Sequence, residues 1–263
     1  DGNYTNYEIE VTIPEFSEAG TWNFSNIYFA DKAGNRTSLY GSDQILSIYE
    51  YQQDHTRGIN LDFEVINNNA VDITPPSLRT LEISENEFDL SSGDQSFILN
   101  ASYFDNLSGF NSRNSSFEFR WESPSGNQNI NRWINITDDE YQINILGDEY
   151  EYDINNNVLN FENVEVTIPQ YSEPGTWTLS SISMSDGRGN STRIWSETEE
   201  LDVLINNLGI DADFEVINSD PDSAPPELKS LVVDDYFDLS QGDVTSDVTL
   251  NLIDDKSGIQ NTY

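Results

Sequence analysis

Val166-Thr167-Ile168-Pro169-Gln170-Tyr171-Ser172-Glu173-Pro174-Gly175-Thr176-Trp177 is a stretch that occurs twice in the chain of 263 residues. The other copy, Val11-Thr12-Ile13-Pro14-Glu15-Phe16-Ser17-Glu18-Ala19-Gly20-Thr21-Trp22, lies 155 residues earlier. An apolar alternation followed by proline, glycine and an aromatic residue is typical of a β-strand that turns into another strand. A long phrase that recurs in this way predicts repeated structural units.

Other phrases recur in the same order at nearly the same distance. They are Asp31-Lys32-Ala33-Gly34-Asn35 with Asp186-Gly187-Arg188-Gly189-Asn190, Pro75-Pro76 with Pro225-Pro226, and Asp105-Asn106-Leu107-Ser108-Gly109 with Asp254-Asp255-Lys256-Ser257-Gly258. The distance drifts from 155 to 149 residues, as a few added loop residues would produce. If a unit begins at the Pro-Pro pair, the chain comprises the C-terminal part of one unit (1–69), a linker (70–76), a complete unit (77–219), a linker (220–226) and the start of a third unit (227–263).

Short β-rich segments alternate with turn residues within the complete unit. Strands are predicted over residues 78–83, 97–104, 117–121, 132–136, 141–146, 164–168, 177–184, 193–195 and 213–217. No segment shows a sustained apolar stripe of helical period. The sequence therefore predicts an all-β chain of tandem immunoglobulin-like β-sandwich repeats. Inserted middle strands are expected, because the unit exceeds the usual length of about 100 residues.

Composition limits the classes of partner. Eleven Lys and Arg against 48 Asp and Glu give a net charge of −37. Such a surface repels phosphate backbones and anionic lipids, so no nucleic acid partner is expected. No apolar run approaches the roughly 18 residues of a membrane-spanning helix, so we expect no membrane insertion in this segment. The chain starts at Asp1 rather than Met, and we expect it to be an internal fragment.

Acidic residues converge at the predicted junctions between units. In such a sandwich, the loops after the second and sixth core strands lie where the chain enters, which predicts that Asp105 and Asp186 meet Asp72 of the linker. The next junction offers Asp222 with Asp254 or Asp255, and the first unit offers Asp31. Calcium suits such sites because it binds six to eight hard oxygen ligands. Zinc prefers His or Cys ligands, and the chain has one His and no Cys.

Turn chemistry explains the same aspartates equally well. An Asp side chain caps its own turn, and the following Gly supplies a positive φ. No EF-hand spacing is present, so the calcium hypothesis depends on convergence in space.

No catalytic template fits the sequence, and we expect no enzyme. The single histidine, His55, lies in a polar stretch and is predicted to be a solvated loop residue. We expect Trp22, Trp121 and Trp177 in the core, whereas Trp133, in a polar setting, is the better candidate for an exposed position.

The Pro-Pro pairs, the Asp105–Gly109 and Asp254–Gly258 phrases, the Ser-Glu-x-Gly-Thr-Trp phrases and the Asp-x-x-Gly-Asn turns resemble those of bacterial immunoglobulin-like repeat proteins. Such repeats build large surface adhesins and extracellular matrix or filament proteins. The resemblance implies a secreted or cell-surface stalk, fibre or surface layer, whose partners are neighbouring repeats or copies of itself. Two alternatives stay open: a module that binds glycans or a cell surface, and a non-catalytic portion of a secreted hydrolase.

Overall fold

A computed structural model describes residues 8–41, 62–111, 115–136, 138–139, 142–143, 149–153, 156–240 and 242–259. The chain is predominantly β, as predicted. It divides into two compact units, residues 1–74 with 106–108, and residues 75–105 with 109–263. The first boundary falls inside the predicted linker 70–76, whereas residues 77–219 and 227–263 belong to one unit. None of the helices in the described ranges is both long and apolar enough to cross a membrane.

The described residues of the first unit form four short strands in two antiparallel pairs. They are β1 (Gly20–Trp22), β2 (Asn26–Ala30), β3 (Arg36–Tyr40) and β4 (Phe63–Val65). Strand β1 pairs with β4, and β2 pairs with β3. The aspartate of the β2–β3 turn organises that turn, since Asp31 Oδ1 accepts hydrogen bonds of 2.9 Å from the amides of Ala33 and Asn35.

The other strands of the described residues belong to the second unit. They are β5 (Ser77–Ile83), β6 (Glu87–Asp89), β7 (Gln95–Phe104), β8 (Ser116–Glu122), β9 (Asn129–Asn135), β10 (Asp138–Asp139), β11 (Gln142–Ile143), β12 (Glu149–Asp153), β13 (Val158–Ile168), β14 (Gly175–Ser185), β15 (Ser191–Trp195), β16 (Phe214–Ile217), β17 (Glu227–Val232) and β18 (Thr249–Ile253). A 3₁₀ helix covers Leu90–Ser92, and an α-helix, named α1 here, covers Glu199–Leu208.

Two sheets form the centre of the second unit. The first has the order β12-β13-β7-β5 and is antiparallel throughout. The second has the order β6-β16-β14-β8-β9, with β15 also paired to β14, and its β6–β16 pair is parallel. Strands β10 and β11 pair with each other, as do β17 and β18.

The hydrophobic core lies between these two sheets and consists of side chains from both. Period-two alternation places Phe97, Leu99 and Tyr103 of β7 on the buried face of the strand. The Phe97 ring lies 5.5 Å from that of Trp121 on β8, and the Tyr103 ring lies 4.5 Å from that of Phe117. Rings from one sheet therefore contact rings from the other, which is a sandwich-like arrangement.

The predicted strands correspond to observed strands, with bounds that differ by a few residues. The largest extension is at β13, which begins at Val158 rather than at residue 164. Its register against β7 shifts between Phe161 and Val164, so an irregularity divides the strand. Of the predicted strand 141–146, the described part is β11; the rest, like His55, lies outside the described residues.

Helix α1 contradicts the expectation that no helical stripe exists. Leu201 is buried, and Leu204 and Ile205 pack partly against the core. With Leu208 they stand at the i, i+3, i+4 and i+7 spacing of an amphipathic helix, a stripe of about two turns that the prediction of strands overlooked. Acidic residues in its first turn favour the helix, and Gly209, at φ 65°, ends it in the left-handed conformation.

The tryptophans meet the expectations with one exception. Trp121 and Trp177 are buried, and Trp133 is 51% exposed. Trp22, expected in the core, is 37% exposed. Trp177 stacks on Phe214 within the two-sheet core, whereas Trp22 contacts Phe63 in a unit whose described strands are only β1 to β4.

Matched phrases make the same hydrogen bonds in both copies. The indole N–H of Trp177 donates to the carbonyl of Glu173 at 2.9 Å, and that of Trp22 donates to Glu18 at 3.0 Å. Three further pairs of bonds correspond. The hydroxyl of Thr21 donates to the carboxylate of Glu64 as that of Thr176 does to Glu215. The side-chain amide of Asn67 donates to the carbonyl of Ser17 as that of Asn218 does to Ser172, and the amide of Asn35 donates to the carboxylate of Asp31 as that of Asn190 does to Asp186. The repeated sequence therefore produces repeated local structure.

Replacing Phe97 by alanine is expected to lower the free energy of unfolding by about 3–5 kcal/mol, because it leaves a cavity between the two sheets. Urea denaturation followed by tryptophan fluorescence measures the loss. Phe29→Ala is the matched control, since that ring is half exposed and its loss is expected to cost less than about 1 kcal/mol. Equal losses in both variants would contradict the placement of Phe97 in the core.

Candidate metal centre

In the loop that follows β18, backbone amides of the loop bind the carboxylate of Asp254. Asp254 Oδ1 accepts a hydrogen bond of 2.6 Å from the amide of Gly258 and one of 3.1 Å from the amide of Lys256. Gly258 has φ 81°, the left-handed region in which glycine is favoured. The Asp-x-x-Ser-Gly phrase thus folds into a tight turn that fixes the Asp254 side chain.

Asp222 approaches the same loop from the segment before Pro225. Its amide donates to the carbonyl of Tyr171 at 2.9 Å, and its carbonyl accepts from Gln128 Nε2 at 2.7 Å. Its carboxylate accepts from the amide of Ala224 at 3.1 Å and from the amide of Ser257 at 2.9 Å. Asp222 is buried, and hydrogen bonds to both its main chain and its side chain fix its position.

Asp222, Asp254 and Asp255 form a cluster of three carboxylates. Each offers one oxygen, and these oxygens lie within 4.8 Å of one another. Calcium binds oxygens at 2.3–2.6 Å, so two ligands of one ion are separated by at most about 5 Å. The donor set, all oxygen and without His or Cys, fits calcium and does not fit zinc.

Lys256 supplies the positive charge beside this cluster. Its ammonium group donates to the carboxylate of Asp220 and, at 2.9 Å, to the carbonyl of Pro221. Hydrogen bonds to Asp220 are the main cause that raises the pKa of Lys256, and attraction to the nearby aspartates adds to it. An ion at the cluster would therefore meet three carboxylates and one neighbouring cation.

The pKa of Asp222 is lowered below the usual aspartate range. Hydrogen bonds from the side chain and amide of Ser257 are the main causes, and the amide of Ala224 and the charge of Lys256 act in the same direction. These donors stabilise the ionised form. Asp222 is therefore a carboxylate at neutral pH, as a metal ligand must be.

A mixed polar and apolar groove adjoins Asp222. It encloses about 800 Å³, and Ser257, Gln128, Tyr171, Trp177 and Pro225 contribute to its lining. Of the three aspartates, Asp222 is the one that also lines the groove.

The structure also brings Asp105 and Asp186 together within the second unit. Each offers a carboxylate oxygen within 4.8 Å of the other, and both residues are buried. Their loops are joined, since the amide of Gly187 donates to the carbonyl of Gly109 at 2.7 Å. Asp186 also accepts bonds from the amides of Arg188 and Asn190, which is the turn geometry of Asp31.

The remaining predicted ligands lie in the first unit. Asp72 accepts a hydrogen bond of 2.9 Å from the amide of Ser108 and one of 3.2 Å from that of Thr74, the same pattern that Asp222 shows. Asp31 organises the β2–β3 turn; its exposed carboxylate accepts from the side chain of Asn35 at 2.7 Å, and this bond is the main cause that lowers its pKa.

Sequence reasoning missed the roles of Gln128, Ser257 and Lys256. Ser257 belongs to a recurring phrase and could have been found by asking which amide faces the linker. Gln128 is 94 residues from Asp222, and no local pattern predicts that contact.

No family model matches the chain, and neither a curated protein nor a solved structure matches it.

Changing Ser257 to alanine is expected to raise the pKa of Asp222, because it removes a donor to the ionised form. A lowered folded-state pKa stabilises the fold at pH values above the unfolded-state pKa, and this contribution is lost as the pH falls through the folded-state value. Carbon-detected NMR titration of the Asp222 carboxyl measures the shift.

The control is Asp238, whose pKa is lowered by hydrogen bonds from Ser240. The Ser257→Ala variant should leave the titration of Asp238 unchanged. An unchanged Asp222 would contradict the assigned cause.

Proposed function

We propose that the chain is a structural or adhesive segment of an extracellular protein, in which tandem immunoglobulin-like β-sandwich units form a stalk, fibre or surface layer. The supporting observation is that phrases about 150 residues apart make the same hydrogen bonds. Repeated local structure suits an elongated structural protein, in which each added unit increases the length. A catalytic site has no corresponding reason to recur.

Calcium stiffens this array in our proposal. Asp222 lies in the segment between residues 219 and 227, and Asp254 and Asp255 lie in the loop after β18. An ion bound by all three would tie that segment to the loop, and would restrict rotation about the connecting chain. Its positive charge would also offset part of the net charge of −37, whose self-repulsion opposes compactness.

The affinity expected is that of extracellular calcium modules, about 10⁻⁴–10⁻³ M. Lys256 supports the weaker end of this range, because it already neutralises part of the local charge. Such a site is filled outside the cell and largely unfilled in the cytosol, so calcium would mark arrival in the extracellular medium.

Calcium at about 10 mM is expected to stabilise the chain by roughly 1.5–3 kcal/mol, because the ion binds the folded state at about 10–100 times its Kd. Differential scanning calorimetry should show a rise of Tm by several degrees that chelation reverses. Isothermal titration calorimetry measures the binding directly.

Asp222→Asn and Asp254→Asn test the ligands, because each removes the charge. At Asp254 one oxygen accepts both backbone amides, and the asparagine oxygen can replace it; at Asp222 each oxygen accepts one amide, and asparagine keeps one of the two bonds. Both variants should lose the calcium-dependent rise of Tm. Asp238→Asn is the matched control, since Asp238 also caps a turn but lies outside the cluster. If all three variants respond to calcium alike, the cluster is not the binding site.

An exposed aromatic side chain favours a second candidate function, glycan binding. Trp133 on β9 is 51% exposed, and its strand also presents Asn131, whose amide donates to Asn129 at 2.8 Å. A flat aromatic face beside amide groups is the kind of surface on which a sugar ring stacks while its hydroxyls form hydrogen bonds.

If Trp133 is the stacking platform, Trp133→Ala should abolish binding on a glycan array without changing Tm. Trp195→Ala is the control, because this ring is 39% exposed but lies against the guanidinium group of Arg193. The absence of any glycan bound by the unchanged chain would remove this candidate.

A further inference from the structure

The outer face of the first sheet carries a pocket that involves neither the Asp222 cluster nor Trp133. Its volume is about 470 Å³, within the range of about 300–1,000 Å³ that is typical of small-molecule sites. The residues that line it all belong to the segment 77–219, and they are Arg79, Phe104, Asp153, Asn156, Val158 and Asn160. The pocket is therefore built by the strands of one sheet and the turn between β12 and β13.

Strand register places the lining residues on one face. Val158 of β13 lies opposite Phe104 of β7, and Asp153 of β12 lies opposite Val158. Tyr103 and Leu159, the neighbours of these residues along β7 and β13, are buried in the core. Because successive side chains of a strand point to opposite faces of the sheet, Phe104, Val158 and Asp153 face away from the core.

An irregularity of β5 directs Arg79 onto the same face. The register of β5 against β7 shifts between Leu78 and Thr80, so Arg79 is the additional residue. An additional residue of this kind changes the direction in which a side chain points. The central guanidinium carbon of Arg79 lies 4.2 Å from the centre of the Phe104 ring. The cation–π contact thus holds the guanidinium group at the wall of the pocket.

Arg79 forms no ion pair with a carboxylate of the described residues. Its counterpart after the second Pro-Pro pair is Lys229, whose ammonium group pairs with Glu227. The residue that corresponds to Glu227 is Ser77, and its hydroxyl donates to the carbonyl of Phe104 at 3.3 Å. The donors of the Arg79 guanidinium group are therefore available to a ligand.

Polar side chains on the other side of the pocket suit the hydroxyls of a ligand. The side-chain amide of Asn160 has no hydrogen-bond partner within the described part of the chain. The carboxylate of Asp153 accepts hydrogen bonds from the backbone amide of Asn156 at 3.3 Å and from its side-chain amide at 2.7 Å. These bonds fix the Asp153 carboxylate in one orientation, and its oxygens have further lone pairs for hydroxyl donors.

We propose that this pocket binds an acidic sugar at the end of a glycan. The carboxylate of the sugar accepts two parallel hydrogen bonds from Arg79, since the planar guanidinium fork matches a carboxylate. Its hydroxyls form hydrogen bonds with Asn160 and Asp153. The C–H groups of the sugar ring contact Val158 and the edge of Phe104.

The charge of the chain favours a ligand with a single carboxylate. A net charge of −37 repels a polyanion along its whole length. At physiological ionic strength, charges more than about 8 Å away are largely screened, whereas Arg79 acts in direct contact. One terminal carboxylate on an otherwise neutral glycan therefore gains the contact with Arg79 without a large repulsion.

NMR titration of the full chain with single-carboxylate glycans tests the proposal. Chelator is present, so that no calcium ion links a ligand to an aspartate cluster. The probes are sialyllactose and a xylo-oligosaccharide with one glucuronic acid, and lactose is the matched neutral control. At least one acidic probe should bind and shift the side-chain amide signals of Asn160, whereas lactose should not. The probe that binds identifies the source of the carboxylate.

Arg79→Ala is expected to lower the affinity roughly 10–100-fold, because it removes hydrogen bonds to a charged group. Arg79→Lys keeps the charge but not the fork, so its affinity should lie between those of the alanine variant and the unchanged chain. Lys229→Ala is the matched control, since it makes the same change of net charge at the corresponding position of the β17–β18 hairpin. Arg79 is exposed, so all three variants should keep the Tm of the unchanged chain.

The proposal is overturned if neither acidic probe binds, if lactose binds equally well, or if Lys229→Ala causes the same loss as Arg79→Ala. A short alanine peptide with a free C-terminal carboxylate is the remaining probe. If the peptide binds as tightly as the sugars, the pocket recognises a carboxylate alone and the assignment to sugars is wrong.

These outcomes are independent of the functions proposed above. The titration contains no calcium, so it does not depend on the calcium-dependent rise of Tm. Trp133 lies on β9 of the second sheet, and Trp133→Ala should leave the affinity for the acidic sugar unchanged.

Discussion

The pairing of β7 with β13 is the constraint on which the second unit depends. It joins residues 95–104 to residues 158–168 and thereby closes the first sheet, with β5 and β12 added at its edges. Only when this sheet is complete do Phe97, Leu99 and Tyr103 face Phe117 and Trp121 of the second sheet.

The chain is strongly acidic and yet folds, because several of its aspartates stabilise turns by accepting backbone hydrogen bonds. Asp31, Asp186 and Asp254 each accept two or more backbone amides of their own loops. Such bonds stabilise the charged form of the carboxylate and offset the free energy that it loses when it is partly removed from water. The same fixation makes the side chains rigid, and a rigid set of oxygens loses less entropy when an ion binds than a mobile one does.

The sequence predicted the strands of the central segment well, because alternation of apolar residues reports directly which face of a strand is buried. The convergence of Asp222, Asp254 and Asp255 was also predictable from recurring phrases placed on a sandwich. Helix α1 was not predicted because its apolar stripe, Leu201, Leu204, Ile205 and Leu208, covers only about two turns and is not a sustained pattern. The exposed position of Trp22 and the contact of Gln128 with Asp222 escaped for another reason: each depends on which distant residues are present, and a local pattern contains no such information.

The parallel pair of β6 and β16 has a mechanical consequence. Strand β6 lies near the start of residues 77–219 and β16 near their end, and Val216 lies opposite Phe88 in the ladder. When the two ends of this segment are pulled apart, parallel neighbours slide along each other, so their hydrogen bonds are loaded together rather than opened one after another. Tension between the ends of this segment therefore acts on the β6–β16 hydrogen bonds in shear, and the core behind the pair is not opened strand by strand until they break.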